Sequence, residues 1–427
     1  MNAALLLFGS FIVLILIGIP IGYSIGLSTL VAMLLTSNIP LLVIAQNAIT
    51  GANSFTLLAI PFFILAGNLM STGGIARRLV QFCDALLGWL LGGLGMVTTM
   101  TCMFFAALSG SSFATTTAIG GFMIPEMKNH DYDPAYAGSL VASASSIGVI
   151  IPPSIPFVIY GCCVGVSISD LFLAGIIPGI LMGVVLMIAN YILCKHYHFG
   201  GEKKPFHLRD LWISFKNAIW ALMMPVVVLG GIYGGIFTPT EASVIAVAYS
   251  IVVSVFIYRE MTWKDVYKCL KNTMSTNGAT TFMCGLSAAF AMYLSLERIP
   301  EKMASVILGI TDNKFLLLLL INLLLLFIGC LLDNIPATII LSPMLLPVVT
   351  SLGMSPITFG VMLTLNLAIG FVTPPYGMDL FVATALTGEP IIKMMRYVIW
   401  FIIALLVPLA LVTYFPPTTM GLVNLLG

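Results

Sequence analysis

Charge is what this sequence has least of. Asp, Glu, Lys and Arg make up 8% of its 427 residues, 17 basic against 16 acidic, while 60% are hydrophobic. A soluble domain needs about 25% charged residues to cover its surface, so a water-facing globular fold is excluded and the solvent is lipid. The net charge of +1 leaves no basic stripe, which argues against a nucleic-acid partner. No Walker A pattern occurs, so the chain does not hydrolyse ATP by that route. Nor is there a metal or disulfide framework: Cys83, Cys102, Cys162, Cys163, Cys194, Cys269, Cys284 and Cys330 lie mostly in apolar runs without paired spacing. His130, His196, His198 and His207 fall in polar loops, and His196 with His198 is no ligand set alone. No catalytic constellation emerges, and the chain reads as not an enzyme. The first 76 residues hold no charged side chain, so the apolar start lacks the basic flank of a cleavable signal peptide. Met1 is expected to begin a retained helix.

What fills the sequence is long continuous apolar runs. A helix needs about 20 apolar residues to cross a hydrocarbon core about 30 Å thick. Runs of that kind predict spans at 3–19, 20–36, 55–72, 136–163, 168–193, 217–236, 238–258, 275–295, 356–387 and 392–415. A β-barrel is disfavoured, because barrel strands alternate apolar and polar residues. The expected fold class is an all-α polytopic membrane protein. Two stretches break the scheme: 91–126 is interrupted by Ser109-Gly110-Ser111-Ser112, and 315–350 by Asp333-Asn334-Ile335-Pro336. Each is either two short spans or a re-entrant hairpin, and polar tips of Ser, Gly, Asp and Asn favour the hairpin, since non-helical backbone at membrane depth must line a cavity or be buried in protein. Lys195, Lys203, Lys204, Arg209 and Lys216 precede the 217–236 span, and Arg259, Lys264, Lys268 and Lys271 follow the 238–258 span. The positive-inside rule places both loops in the cytoplasm, and counting back puts Arg77, Arg78 and Lys128 inside and the N-terminus outside.

The most informative feature is an internal repeat. Ile147-Gly148-Val149-Ile150-Ile151-Pro152-Pro153 recurs as Ile369-Gly370-Phe371-Val372-Thr373-Pro374-Pro375, and the same offset of 222 carries Ser111-Ser112 onto Asp333-Asn334 and Thr116 onto Thr338. A similar pairing sets Ile19-Pro20-Ile21 and Ser24 against Thr238-Pro239-Thr240 and Ser243. Since the first copy begins outside and the second inside, the copies are expected to be inverted, as in many secondary transporters. Each Pro-Pro removes two amide donors, so the helices must open around 148–153 and 370–375 and release carbonyl oxygens. Freed carbonyls with nearby hydroxyls can coordinate Na⁺, and the following half-helices present positive N-termini to an anion. The plain alternative is a pair of proline kinks satisfied by neighbouring helices.

Intramembrane acids are costly, about 2.5–3.5 kcal/mol at a helix centre on insertion scales, so each needs a reason. Asp333 at the second tip is assigned to the cation or substrate site. Asp379, after the second break, serves there or only as a cap. Glu241 in Thr238-Pro239-Thr240-Glu241 is equally well read as the first turn of a capped helix. Arg298 either anchors at the interface or pairs with an entering anion. Gly231 and Gly235 fit a packing pattern rather than a site.

Four segments, Ala107-Leu108-Ser109-Gly110-Ser111-Ser112, Gly148-Val149-Ile150-Ile151-Pro152-Pro153-Ser154, Phe237-Thr238-Pro239-Thr240-Glu241-Ala242 and Gly370-Phe371-Val372-Thr373-Pro374-Pro375, resemble the large membrane subunit of tripartite ATP-independent periplasmic (TRAP) transporters, end to end and in order. The resemblance implies an inverted-repeat, elevator-type transporter with two re-entrant hairpins and two broken helices, in the bacterial inner membrane. It implies Na⁺-driven import of an organic acid anion such as a C4-dicarboxylate or sialic acid, with two or more Na⁺ ions. Its implied partners are a small four-helix membrane subunit and a periplasmic substrate-binding protein. Carried over by motif, one Na⁺ sits between Ser109 to Ser112 and Gly148, Ile150 and Pro152, and another between the second tip with Asp333 and Gly370 to Thr373. Ser111, Ser112, Ser154, Asp333 and Arg298 are the implied substrate or coupling residues. Scaffold helices would occupy 1–72 and 217–295, a cytoplasmic basic loop 195–216, and the transport domain 73–194 and 296–427. Two rival readings are a divalent-anion/Na⁺ symporter that needs no binding protein, whose tips read Ser-Asn-Thr instead, and a non-transporting scaffold or proton-channel subunit, which would carry chains of intramembrane Lys, Glu and His.

Overall fold

The computed structural model describes residues 3–37, 39–200, 205–309, 311, 313–375 and 377–426. Met1, Lys203 and Lys204 lie outside the described residues. Among those described, the regular structure is all helical. The first half runs α1 (Ala3–Leu16), α2 (Ile21–Thr36), α3 (Leu42–Ala52), α4 (Ala59–Thr72), α5 (Ile75–Leu87), α6 (Gly93–Ser109), α7 (Ser112–Asn129), α8 (Pro134–Ser145), α9 (Ile155–Val164) and α10 (Ile168–Tyr197). The second runs α11 (Leu208–Tyr233), α12 (Pro239–Ile251), α13 (Trp263–Leu296), α14 (Ile299–Leu308), α15 (Lys314–Gly329), α16 (Asn334–Ser351), α17 (Pro356–Gly370), α18 (Met378–Thr387), α19 (Ile391–Tyr414) and α20 (Pro417–Leu426).

The offset of 222 is written into the helix ends. α7 and α16 start at 112 and 334 and end at 129 and 351, and α8 and α17 start at Pro134 and Pro356. Each pair shares its local cause: Ser111 and Asp333 cap α7 and α16, and Asp133 and Ser355 cap α8 and α17 ahead of a first-turn proline. The two halves differ where α13, one helix of 34 residues, occupies the place that α3 and α4 share in the first half. α13 packs against α2, α3 and α4, joining the two halves.

Among the described residues, seven helical stretches are long and apolar enough to cross a membrane: 55–72, 168–197, 208–233, 239–257, 263–296, 334–351 and 391–414. The hairpin arms α6 and α15, with 17 and 16 residues, rise only about 24–26 Å, short of the hydrocarbon thickness. Their tips therefore end inside protein. The broken helices occupy the centre: α8 is buried from Ala135 to Ser145 and α17 from Thr358 to Gly370. Opened backbone is thus wrapped by other helices rather than by lipid, the condition under which it is tolerated. Large apolar side chains such as Ile192 of α10, Phe327 of the arm α15 and Ile403 of α19 remain exposed, as a lipid solvent requires.

Several boundaries differ from the expected spans. α13 begins twelve residues before 275, because Thr262 and Asp265 form a capping box and Lys264, Lys268 and Lys271 extend the helix into water. The expected loop 195–216 is invaded from both sides, with Lys195 in the last turn of α10 and Arg209 and Lys216 inside α11. α3 and α20 were not among the expected spans; at 11 and 10 residues they are too short to announce themselves by length.

Candidate functional site between two hairpin tips

At the first tip, α6 ends at Ser109, Gly110 turns the chain with φ +60°, and Ser111 starts α7 by accepting from Ala114 N at 3.4 Å. The hydroxyls here knit to one another. Thr115 Oγ1 donates to the Ser111 carbonyl at 2.8 Å and lies 3.2 Å from Ser109 Oγ. A side chain on Gly110 would place Cβ 2.4 Å from the Pro153 carbonyl oxygen, so the tip is in backbone contact with the first break. Ile155 N donates to the Gly110 carbonyl at 3.3 Å across that contact. Gly148 abuts the tip as well, its Cβ position 2.9 Å from the Ser111 carbonyl oxygen and from Thr115 Oγ1.

At the second tip, Asp333 accepts from Asn334 N at 2.6 Å and thereby starts α16, and Asn334 Oδ1 accepts from Thr338 Oγ1 at 2.9 Å. Asn334 Nδ2 is buried and has no hydrogen-bond partner among the described residues. Gly370, the last residue of α17, lies against Gly329 at the end of α15, with its Cβ position 2.3 Å from the Gly329 carbonyl group. Within the second break, Thr373 N donates to the Gly370 carbonyl at 3.0 Å and Thr373 Oγ1 to Ile369 O at 2.8 Å. Both Pro-Pro peptide bonds, 152–153 and 374–375, are cis.

The two tips share one cavity of about 770 Å³. Residues 109–114 and 333–335 line it together with Val149 and Ile155 of the first break and Phe371 and Met378 of the second. The opposite wall comes from other helices: Tyr23 of α2, Asn68 of α4, and Thr280 and Met283 of α13. Among the described lining residues the single charged side chain is Asp333, and there is no Lys, Arg or His.

Of the residues expected to bind substrate or cation, Ser109, Ser111, Ser112 and Asp333 line the cavity, and Gly148, Gly370 and Thr373 stand beside the tips in the breaks. Pro152 lies buried in the first break. The Ile150 carbonyl oxygen abuts Gly175 of α10, 2.5 Å from that residue's Cβ position. Ser154 is sealed away: its Oγ donates to Val149 O at 2.6 Å and accepts from Phe157 N at 3.3 Å, so it closes the break and caps α9. Arg298 is also apart. It is exposed two residues past the end of α13, which rises about 20 Å from Met283 at the cavity to its last residue, Leu296. Glu241 takes its plain role, closing a capping box with Thr238.

Asp379 is where sequence reasoning stopped short. It does not cap α18. Its carboxylate crosses to the first hairpin, where Ser112 Oγ and Thr116 Oγ1 both donate to it, the latter at 3.0 Å. The Ser112 and Thr116 spacing of four residues does mark one helix face, but nothing local joins that face to a residue more than 260 positions away. By sequence Asn334 is simply part of a tip; that its amide nitrogen has no partner among the described residues shows only in the fold.

Comparison with known proteins fits this architecture. The family model described as the tripartite ATP-independent periplasmic transporter, DctM component, matches residues 8–418. The chain belongs to that family. It is 38% identical over 404 residues to the C4-dicarboxylate TRAP transporter large permease protein DctM of Pseudomonas aeruginosa, covering 95% of this chain and 94% of that one. It is likewise 38% identical over 412 residues to the sialic acid TRAP transporter large permease protein SiaM of Vibrio cholerae, covering 96% of each. The isethionate TRAP transporter permease protein DctMQ of Oleidesulfovibrio alaskensis is 41% identical over 414 residues; the match takes in 97% of this chain but spans 65% of that longer relative. Among solved structures, the Alcanivorax borkumensis YdaH transporter, described as having an unusual topology, superposes with a TM-score of 0.61 at 15% identity over 88% of each chain, a likeness of fold. This TRAP permease is a multi-pass inner-membrane protein with an inverted-repeat transporter fold.

Proposed function

We propose that this TRAP permease imports an organic acid anion on a Na⁺ gradient, receiving it from a periplasmic binding protein and working with a small four-helix membrane subunit. The observation that carries the reading is the composition of the shared cavity: two helix-starting tips, two opened helices, one carboxylate and no basic side chain among the described lining residues. An anion entering such a site has no Lys or Arg to meet it. Its charge must be balanced by helix N-termini, hydroxyls and a cation carried with it. The buried Asn334 amide donor, costly when unpaired, is a group that an anionic oxygen would satisfy. Relatives named for C4-dicarboxylate, sialic acid and isethionate share an acid group and little else.

In this reading Na⁺ is a co-transported substrate. One ion draws on Ser109, Ser112 and the Gly148 to Pro152 backbone, and another on Asp333 and the Gly370 to Thr373 backbone, while Ser111 and Asn334 face the anion. The cavity wall supports an elevator motion, because the hairpins and breaks of 73–194 and 296–427 form one side and α2, α4 and α13 the other. Uptake of labelled organic acids into proteoliposomes tests the proposal. Accumulation that requires the small subunit, a binding protein and inward-directed Na⁺ is expected. Uptake that needs Na⁺ but no binding protein would assign the chain to stand-alone symport, and uptake indifferent to Na⁺ would reduce both breaks to structural kinks.

A further inference from the structure

Asp379 is fully buried in the first turn of α18, in the second repeat, yet its side-chain partners belong to the first. Ser112 Oγ donates to one carboxylate oxygen and Thr116 Oγ1 to the other. Among the described residues no Lys, Arg or His forms an ion pair with it. A hydroxyl has one proton and two lone pairs. Ser112 commits its proton to Asp379, so what its oxygen can offer on its other side is lone pairs, and Ser112 lines the cavity. Thr116 shares its single proton between Asp379 and the Ser112 carbonyl, 3.0 Å from each, which ties the first turn of α7 to α18. The Asp379 amide is fixed in turn, donating to Phe371 O at 3.1 Å across the second break. One residue thus joins the second break to the first tip. A buried carboxylate without a basic partner is costly, and a nearby cation lowers that cost.

We propose that Asp379 is a positioning residue for cation binding: acting through Ser112, it holds that hydroxyl as an acceptor toward the cavity and supplies the charge that a cation on Ser112 Oγ neutralises. The proposal rests on the Na⁺-coupled import proposed for this cavity. It adds a residue outside both tips and both Pro-Pro segments. The device exists once, because the position 222 residues earlier is Phe157. Only the ion at the first tip should depend on it.

The test is a Na⁺ titration of uptake in proteoliposomes holding the permease, its small subunit and a binding protein, for wild type, Asp379→Asn and Thr116→Val. Asp379→Asn keeps the size and an acceptor oxygen but loses the charge, and it is expected to raise the Na⁺ half-saturation about tenfold. The KM for the organic acid at saturating Na⁺ should stay within about twofold, a split that a general packing defect would not produce. Thr116→Val keeps the shape and removes one donor, with an expected rise of about threefold. Wild-type uptake without any Na⁺ dependence would overturn the import reading, and this proposal with it. A Na⁺-dependent wild type whose Asp379→Asn variant keeps the same half-saturation, or changes only substrate KM, overturns this proposal alone. Should Asp379→Asn fail to fold, an unchanged Na⁺ half-saturation in Thr116→Val does the same.

Discussion

The two hairpin tips have the same backbone and different chemistry. Both turn a short arm into an 18-residue helix at the same register, capped by the residue just before it. The first is built of hydroxyls: Ser109, Ser111 and Thr115 bond to one another or to the backbone of their own hairpin, Ser112 donates to Asp379, and the tip is stitched to its break through Ile155 N and Gly110 O. The second carries Asp333 and an Asn334 amide whose nitrogen has no partner among the described residues. Duplication has kept what makes a helix end inside the protein and released the side chains to differ. Geometry is shared; the placing of charge is not. The first tip has no acid of its own and meets a negative charge only through Ser112, which donates to Asp379 across the repeat boundary, whereas the second holds an acid of its own beside the cavity.

The largest effect should come from removing the charge at the second tip or the hydroxyl at the first. Asp333→Ala is expected to abolish Na⁺-dependent uptake, a loss of about a hundredfold or more, with membrane expression intact, because no other described lining residue supplies charge. Ser112→Ala should do the same by removing the oxygen that stands between Asp379 and the cavity. Wild-type rates in both variants would sink the proposed site. An active Ser112→Ala beside a dead Asp333→Ala would instead show that the second tip alone binds the coupling ion.

A second comparison sets backbone contact against backbone conformation. Gly110 and Gly388 both adopt positive φ, +60° and +76°. The left-handed region costs a residue with a side chain about 1–2 kcal/mol. At Gly388 nothing lies within 4 Å of a Cβ, so Gly388→Ala should lose that amount alone and transport normally. At Gly110 the Cβ would also meet the Pro153 carbonyl oxygen at 2.4 Å, and backbone cannot rotate out of the way. Gly110→Ala should therefore lose more stability than Gly388→Ala in detergent unfolding and lower uptake. Equal losses would mean that tip and break are not in obligatory contact.

These contrasts also separate what the sequence could disclose from what it could not. The tips and breaks were legible because their causes are local: Pro-Pro opens a helix wherever it stands, and Ser111 and Asp333 are the residue types that start one. Their common offset then gave the correspondence of α7 with α16 and α8 with α17. Ends in water were less legible, since Lys264, Lys268 and Lys271 look like a loop by charge yet support a helix once Thr262 and Asp265 cap it. Contacts between the repeats were not legible at all. Nothing near Asp379 announces Ser112 and Thr116, and nothing near Arg298 tells that α13 continues unbroken and carries it away from the cavity. Ser154 shows the converse: a polar residue beside a break, whose hydroxyl bonds to Val149 O and Phe157 N within the break and the helix that follows it.

The smallest effects should distinguish a cap inside the site from one outside it. Ser154 starts α9 and is fully buried, its Oγ also donating to Val149 O at 2.6 Å; Thr238 starts α12 in an exposed capping box with Glu241. Ser154→Ala removes a cap and leaves a carbonyl in the first break without that donor, an expected loss of about 2 kcal/mol, with reduced uptake if the opened backbone meets a cation there as proposed. Thr238→Ala loses about 1 kcal/mol or less, since water replaces the missing bond, and uptake should be unchanged. Detergent unfolding and uptake measured on both variants give the comparison. If Ser154→Ala costs no more than Thr238→Ala, the first break is not sealed by its own serine, and Ser154 returns to the residues available for substrate.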